Sequence, residues 1–357
     1  MSESKSLSYD AVLLVSFGGP NGPDDVIPFL ENVLRGKNVP RERLLEVAEH
    51  YYHFGGVSPI NQQNLRLKAA LEQRLQEVGP QLNVYWGNRN WHPLLADTLQ
   101  QMKADGVTRC LALMTSAFSC YSGCRQYRED LAKALEQVGG GIVIHKVRVF
   151  FNHPGFIQPT ARQTEALYRS WSPEQRSRGR VLFCAHSIPN AMANGSAYEV
   201  QLREASRLVA EQVGIPESQW ELVFQSRSGP PTQPWLEPDI CDRIRQLHSE
   251  QQLQDVLVVP IGFVSDHLEV LYDLDTEAKS VCEELRIGFL RAATVGSDPE
   301  FVAALVDLIR ERTSNAPRLA IGQYPANHDF CPLDCCWSGR PGAPQLPTVA
   351  GLDQAGT

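Results

Sequence analysis

Short, unbroken apolar runs recur along the chain and predict its strands. Runs of this length that are rich in β-branched residues, without alternation of polar and apolar positions, are typical of strands buried on both faces of a parallel sheet. The runs are AVLLVSFGG, LNVYWGN, CLALMTSAF, IVIHKVRVF, RVLFCAHSIP, WELVFQS, DVLVVPIGF and IGFLRAATVG.

Amphipathic stretches separate these runs, with apolar residues at helical spacing and several ends at Gly or a basic residue. They include DDVIPFLENVL, LRLKAALEQRLQEV, LLADTLQQMKADG, YEVQLREASRLVAEQV and PEFVAALVDLIRER. The alternation of strand and helix occurs twice over, which predicts an α/β fold of two doubly wound lobes, each with a parallel sheet of about four strands. We place the lobes at 7–165 and 166–315, followed by an extension at 316–340 and a mobile tail at 341–357, because periodicity stops near residue 315.

Length and charge narrow the classes of protein. With 357 residues the chain exceeds what one core usually organises, which favours two domains. A net charge of -8, without clustered Lys and Arg, argues against a nucleic-acid surface. No apolar run is long enough for a membrane span, and the N-terminus MSESKSLSYD lacks a secretory pattern. We therefore expect a cytoplasmic protein, whose cysteines are free, catalytic or metal-bound.

One imidazole and a row of carboxylates follow predicted strands. Ligands of such sheets bind outside the carboxyl ends of the strands, and His186 comes directly after the run RVLFCA. Glu269, Asp273 and Glu277 recur every four residues after the seventh run, so they share one helix face, more closely aligned if the helix has a π turn. A solvated acidic face and a hydrogen-bonded loop histidine are the ordinary alternatives. Together, however, these groups suit a divalent metal such as ferrous iron, and they can accept protons.

Three of the nine cysteines stand apart. Cys331, Cys335 and Cys336 fall within six residues in NHDFCPLDCCWSGRPG, where the neighbours are Pro, Gly and Asp. The other six lie in patterned sequence, where a small buried hydrophobe is the usual role of cysteine. They are Cys110, Cys120, Cys124, Cys184, Cys241 and Cys282.

The motifs LLVSFGGP, HFGGVSPIN, GNRNW, YSGCRQYRED, FCAHSIP, QSRSGPPTQPWLEPD and PIGFVSDHLEVLYDLD occur in order between about residues 9 and 336. Together they resemble the ferrochelatase family, specifically its actinobacterial branch. The resemblance implies two Rossmann-like lobes around a porphyrin cleft and a lyase that inserts ferrous iron into the macrocycle, releasing two protons. It favours coproporphyrin III as substrate, with coproheme as product, and a monomer. Protoporphyrin IX as substrate, a cobalt or nickel chelatase, and a non-catalytic carrier of a tetrapyrrole or metal are the alternatives.

The resemblance also implies roles for individual residues. His186 and Glu269 match the family's catalytic residues, which bind the incoming Fe²⁺ and take up pyrrole protons, and Asp273 and Glu277 match its acidic path along a π-helix. Phe17 stands where some relatives supply a tyrosine iron ligand; since its phenyl ring cannot ligate, we expect it to pack on the macrocycle. The expected porphyrin-binding residues are Phe17, Ser58, Arg125 and Tyr127.

Some members of the family carry a [2Fe-2S] cluster held by one internal cysteine and three near the C-terminus. The resemblance assigns Cys331, Cys335 and Cys336 as the three, so 316–340 becomes a cluster-binding extension. For the fourth ligand, actinobacterial relatives favour Cys124, our choice, whereas animal enzymes put Cys120 near the ligand position. A zinc site and a reactive redox pair are the competing interpretations of the three cysteines.

Overall fold

The computed structural model describes residues 8–36, 39–230, 232–340 and 342–355, and the predicted strands are all present in it. The strands are β1 (Ala11–Ser16), β2 (Asn83–Asn88), β3 (Arg109–Met114), β4 (Val143–Lys146), β5 (Arg180–His186), β6 (Trp220–Gln225), β7 (Asp255–Val259) and β8 (Gly288–Arg291). They form two four-stranded sheets in the orders β2-β1-β3-β4 and β6-β5-β7-β8, with every pairing parallel. This confirms the α/β fold of two lobes.

Helices connect successive strands, as parallel pairing requires. They are α1 (Pro23–Val33), α2 (Arg41–His53), α3 (Pro59–Val78), α4 (Leu95–Ala104), α5 (Gln126–Gln137), α6 (Pro154–Ser170), α7 (Pro173–Arg178), α8 (Asn190–Asn194), α9 (Tyr198–Val213), α10 (Ile240–Gln251), α11 (Leu268–Val270), α12 (Lys279–Leu285) and α13 (Pro299–Thr313). A π-helical turn at Tyr121–Arg125 leads into α5, and a second at Leu271–Ala278 joins α11 to α12. Among the helices of the described residues, none is long and apolar enough to cross a bilayer.

The two lobes share one hydrophobic core. A single cluster of buried side chains includes Val12 of β1 and Phe183 of β5. Helix α13 packs against both α3 and α6, and α6 packs against α9. The predicted boundary at 165/166 therefore falls inside α6, which packs against helices of the second lobe.

A smaller apolar cluster lies apart from this shared core. We call it the α1–α2 layer; it contains Val26, Phe29 and Leu30 of α1 and Leu44, Ala48 and Tyr51 of α2. Leu268 of α11 packs into it, and the ring of His50 stacks on that of Tyr272 at a centroid distance of 3.7 Å. The layer thus rests against the helix that carries the acidic row.

The end of the chain returns to the body of the protein. Cys331 and Gly351 form a parallel β-bridge, and the backbone N–H of Val349 donates to the carbonyl of Arg128. The buried guanidinium of Arg128 in turn donates to the Val349 carbonyl at 2.8 Å and to the Thr348 hydroxyl at 2.9 Å. Residues 348–351 thus contact the body of the protein, which the prediction of a mobile tail at 341–357 did not anticipate; residues 341, 356 and 357 lie outside the described part of the chain.

Candidate active site

His186 is the last residue of β5, so the buried strand presents its ring at the carboxyl edge of the second sheet. Its Nδ1 is hydrogen-bonded to the carbonyl oxygen of Ser187. Because a carbonyl can only accept, Nδ1 carries the proton in the neutral ring and Nε2 keeps a lone pair. That Nε2 lies 3.9 Å from a carboxylate oxygen of Glu269, and the side chains of both residues are partly exposed, at 36% and 47%. The pair can therefore receive a metal ion or a proton from outside.

His267 joins this pair, although the sequence analysis did not single it out. Its Nδ1 lies 4.0 Å from the same oxygen of Glu269. Burial lowers the pKa of His267, which favours the neutral ring. The only signal in the sequence is its place in the stretch SDHLE, two residues before Glu269.

Asp273 lies in the π-helical turn, where the carboxylate row was predicted to align. One oxygen accepts hydrogen bonds from the amide of Gln225, at 3.1 Å, and from the hydroxyl of Ser226. Gln225 ends β6 and is the register partner of His186, so strand pairing brings this contact to the histidine's edge of the sheet. Burial raises the pKa of Asp273 to about 7, and the charge of Glu269 adds to the shift. Asp273 is thus poised to exchange a proton near neutral pH.

The other acidic residues of this helix fall into two groups. Glu277, one helical step beyond Asp273, is exposed and can pass ions or protons to solvent. Asp275 instead forms a bidentate pair with Arg291 at 2.7 and 2.8 Å, and Asp266 binds the same guanidinium at 3.1 Å. Arg291 thereby neutralises Asp266 and Asp275, which sets them apart from the row of Glu269, Asp273 and Glu277.

The first lobe contributes aromatic side chains. Phe17 follows β1 and packs edge-on against Phe29, with ring centroids 6.2 Å apart. The guanidinium of Arg89 lies 5.8 Å from the Phe17 ring and 4.4 Å from the Tyr127 ring, and pairs with Asp130 at 2.6 Å. The structure therefore brings the rings of Phe17 and Tyr127 to the same cation.

Ser58 and Tyr127, two other predicted porphyrin contacts, are nearly buried. Ser58 precedes α3 and packs so closely on Gly19 that a Cβ on the glycine would lie 2.6 Å from the serine Cβ. Burial raises the pKa of the Tyr127 phenol, which is 5% exposed. Their contact with a ligand stays a prediction.

Arg125 lies elsewhere. Its side chain is 1% exposed and pairs with Glu129 at 2.8 Å. Its Nη1 donates to the carbonyls of Leu333 at 2.7 Å and Cys335 at 3.1 Å, which are in the C-terminal extension. This geometry does not support the predicted contact of Arg125 with porphyrin carboxylates, because the guanidinium is buried and serves the extension instead.

Four predicted thiol ligands converge beside that extension, and we call the group the thiol nest: Cys124, Cys331, Cys335 and Cys336. The Sγ atoms of Cys335 and Cys336 are 3.6 Å apart. The hydrogen bond with Cys331 is the main cause that raises the pKa of Cys124 to about 12, and Cys336 also interacts with that thiol. The nest thus joins the first lobe to the extension.

The donor set of the nest fits a [2Fe-2S] cluster, which requires four thiolates when all its ligands are cysteines. Cys120, the alternative internal ligand, is used differently: its sulfur accepts the backbone N–H of Gly123 at 3.1 Å and caps the first π-helical turn. Zinc also accepts four thiolates, so the donor set alone leaves both groups open.

Comparison with known proteins agrees with this geometry. The family model described as Ferrochelatase matches residues 9–313. The chain is 55% identical over 345 residues to a ferrochelatase of Rhodopirellula baltica, covering 96% of each chain. It is 49% identical over 368 residues to a coproporphyrin III ferrochelatase of Streptomyces coelicolor, covering 97% of this chain and 96% of the relative.

Solved structures are similar in fold. The sirohydrochlorin chelatase SirB from Bacillus subtilis subspecies spizizenii in complex with cobalt superposes with a TM-score of 0.50 at 11% identity, covering 86% of this chain and 97% of that chain. SirB from Bacillus subtilis with Fe³⁺ gives the same values. At this identity the likeness supports the two-lobed fold and carries no information on the substrate.

Proposed function

The chain belongs to the ferrochelatase family, and we propose that it is a lyase that inserts ferrous iron into coproporphyrin III to form Fe-coproporphyrin III, or coproheme, in heme biosynthesis. The names of relatives from Streptomyces coelicolor, Streptomyces griseus and Leifsonia xyli, at 49%, 47% and 47% identity over nearly the whole chain, support coproporphyrin III as the substrate.

The observation that carries the proposal is the facing pair of His186 and Glu269. Insertion replaces two protons on the inner nitrogens of the porphyrin by one Fe²⁺ ion, so the site must hold a divalent cation and accept two protons. The lone pair on Nε2 of His186 and the carboxylate of Glu269, 3.9 Å away, supply both kinds of group at one position.

Protons must then leave the centre. A carboxyl with a pKa of about 7 is half ionised at neutral pH, so Asp273 can take a proton from the centre and release it outward. The exposed Glu277 is the next carboxylate toward solvent. We therefore assign the row to proton or metal transfer between the centre and the outside.

The α1–α2 layer and Phe17 are the proposed apolar wall of the porphyrin cleft. Phe17 is partly exposed and backed by Phe29, which suits packing against a flat macrocycle. Ser58 and Tyr127 are proposed to bind the porphyrin and its propionates through their hydroxyls. A cleft that grips and bends the ring would expose a pyrrole nitrogen to the metal, which is complementarity to the transition state.

The thiol nest is proposed to hold a [2Fe-2S] cluster as a resident cofactor. Such a cluster supplies one-electron chemistry and a covalent link between the extension and the first lobe. Its four thiols include Cys331 and Cys336, which are buried, and Cys335, which is partly exposed. No step of iron insertion is assigned to it.

The test is anaerobic turnover of Fe²⁺ with coproporphyrin III and, separately, with protoporphyrin IX, followed through the Soret and visible bands. We expect faster loss of the free coproporphyrin spectrum, abolished in His186→Ala. His248→Ala is the matched control, since His248 lies on α10 and hydrogen-bonds the Leu253 carbonyl.

Two outcomes would contradict the proposal. Preferential metallation of protoporphyrin IX would reassign the substrate. Binding of both porphyrins without uptake of Fe²⁺ would favour a carrier, and uptake of Co²⁺ or Ni²⁺ alone would favour another chelatase. The cytoplasmic location and monomeric state stay predictions.

A further inference from the structure

His328 lies at the thiol nest, although it is not among the four cysteines proposed to hold the cluster. A ring nitrogen of His328 and the sulfurs of Cys331 and Cys335 all lie within 4.8 Å of one another. The nest therefore offers five potential ligands, and one of them is an imidazole.

The distances in this group match those of ligands around a single ion. Nε2 of His328 is 3.7 Å from Sγ of Cys335, and that sulfur is 3.6 Å from Sγ of Cys336. In a tetrahedral site with metal–sulfur bonds of about 2.3 Å and metal–nitrogen bonds of about 2.0–2.1 Å, ligand atoms lie roughly 3.5–3.8 Å apart. Both measured distances fall in this range.

The body of the protein holds these ligands through their backbone. The buried Lys146 donates to the carbonyl of His328 at 3.2 Å, while the Asn327 side chain accepts the His328 N–H at 2.7 Å. Arg125 donates to the carbonyl of Cys335 at 3.1 Å, as described above. Contacts from the first lobe thus position the histidine and the cysteine without help from a metal.

We propose that the nest also binds a single tetrahedral divalent ion of the zinc class, through His328, Cys331 and Cys335, with the fourth position open to a further ligand. Imidazole and thiolate are the ligands that such ions prefer. The inference rests on the thiol nest of the proposed function and adds a second, mononuclear mode to it. Since the thiolates of Cys331 and Cys335 are common to both modes, the ion and the iron–sulfur group exclude each other.

The test uses Co²⁺ as a spectroscopic probe on the full chain, after anaerobic removal of bound metal. Thiolate-to-Co²⁺ charge-transfer bands and tetrahedral ligand-field bands report only on a site that contains cysteine. We expect the wild-type chain to bind one Co²⁺ with both sets of bands. His328→Ala should weaken this binding at least about tenfold, since the loss of even an outer-shell partner costs 10–100-fold.

Two variants separate loss of a ligand from loss of structure. His328→Cys replaces one tetrahedral donor by another and should retain tight Co²⁺ binding, whereas Cys335→Ser should lose most of the charge-transfer intensity. His248→Ala is again the control. Wild-type affinity in His328→Ala, or the absence of thiolate bands from the wild-type chain, would overturn the proposal. The thiolate bands report on the thiol nest alone, because His186 and Glu269 contain no sulfur. This result is therefore independent of whether coproporphyrin III is metallated.

Discussion

The hydroxyl of Ser226 donates a hydrogen bond to Asp273, and removing it should shift the pH dependence of iron insertion. This bond favours the ionised carboxylate, so it opposes the burial that raises the pKa of Asp273 to about 7. The change we choose is Ser226→Gly. Ser226 has a φ of 59°, a left-handed conformation that glycine adopts without strain.

The size of the shift follows from the strength of the bond. A hydrogen bond to a charged group contributes about 1.5–3 kcal/mol. At about 1.4 kcal/mol per pKa unit, its loss should raise the pKa of Asp273 by about one to two units above 7. At pH 7 the ionised fraction would then fall from about half to between about a tenth and a hundredth. Because transfer through the path needs the ionised form as acceptor, kcat at pH 7 should fall and recover near pH 9.

Two measurements check this chain of reasoning. The pH profile of kcat, at saturating porphyrin and Fe²⁺, gives the kinetic pKa. Infrared difference spectra of the protonated carboxyl band, assigned with Asp273→Asn, give the pKa of the residue itself. Ser314→Gly is the matched control, since Ser314 is exposed and its hydroxyl donates to the Arg310 carbonyl at 3.0 Å, away from Asp273.

The outcomes distinguish the parts of the argument. If the carboxyl band shifts while the kinetic profile stays where it was, Asp273 is not on the proton path. If neither moves, the hydrogen bond from Ser226 does not control the carboxyl. A profile displaced to lower pH would show that the sign of the reasoning is wrong.

Three further predictions concern the body of the protein. Arg125→Met should lower the free energy of unfolding by about 3–5 kcal/mol in urea titrations, since it removes the guanidinium that pairs with the buried carboxylate of Glu129. A loss below about 1 kcal/mol would contradict this. Deletion of 348–357 should lower Tm by several degrees, because the Arg128 guanidinium loses its two acceptors at Thr348 and Val349. An unchanged Tm would instead support the prediction of a mobile tail. Gly19→Ala should lower the free energy of unfolding by about 1–3 kcal/mol, because the new methyl group clashes with Ser58. Adding Ser58→Gly in a double variant should restore part of this loss. If it restores none, the clash is not the cause.

The sequence was sufficient to predict those features of the fold that depend on residues close together in the chain. Unbroken apolar runs predicted the strands because central strands are buried on both faces, and the stretch YEVQLREASRLVAEQV coincides with α9, Tyr198–Val213. The carboxylate row and His186 were predictable because parallel sheets place ligands at the carboxyl ends of their strands.

Prediction failed where distant segments meet. The predicted domain boundary at 165/166 cuts α6, whose packing against α9 and α13 is not visible in the sequence; the division into domains stays a prediction. Arg125 was assigned to the cleft since nothing near it in sequence shows that it binds carbonyls more than 200 residues away. His328 went unnoticed for a different reason: it lies only three and seven residues before Cys331 and Cys335, but the sequence does not show that the folded extension brings its ring within 4.8 Å of both sulfurs.

The shared core has a mechanical consequence for access to the cleft. Since Val12 and Phe183 belong to one apolar cluster, the two sheets form a single rigid block and cannot hinge apart without disrupting the interior. If the proposed cleft widens to admit a flat ligand, the movement would fall to the α1–α2 layer, which meets the acidic helix through Leu268 and the stacked rings of His50 and Tyr272. Ligand exchange at the proposed cleft would then depend on a local opening free energy, which is expected to be small compared with global stability. Substitutions that strengthen the block would raise the melting temperature while leaving the rate of porphyrin entry and release unchanged.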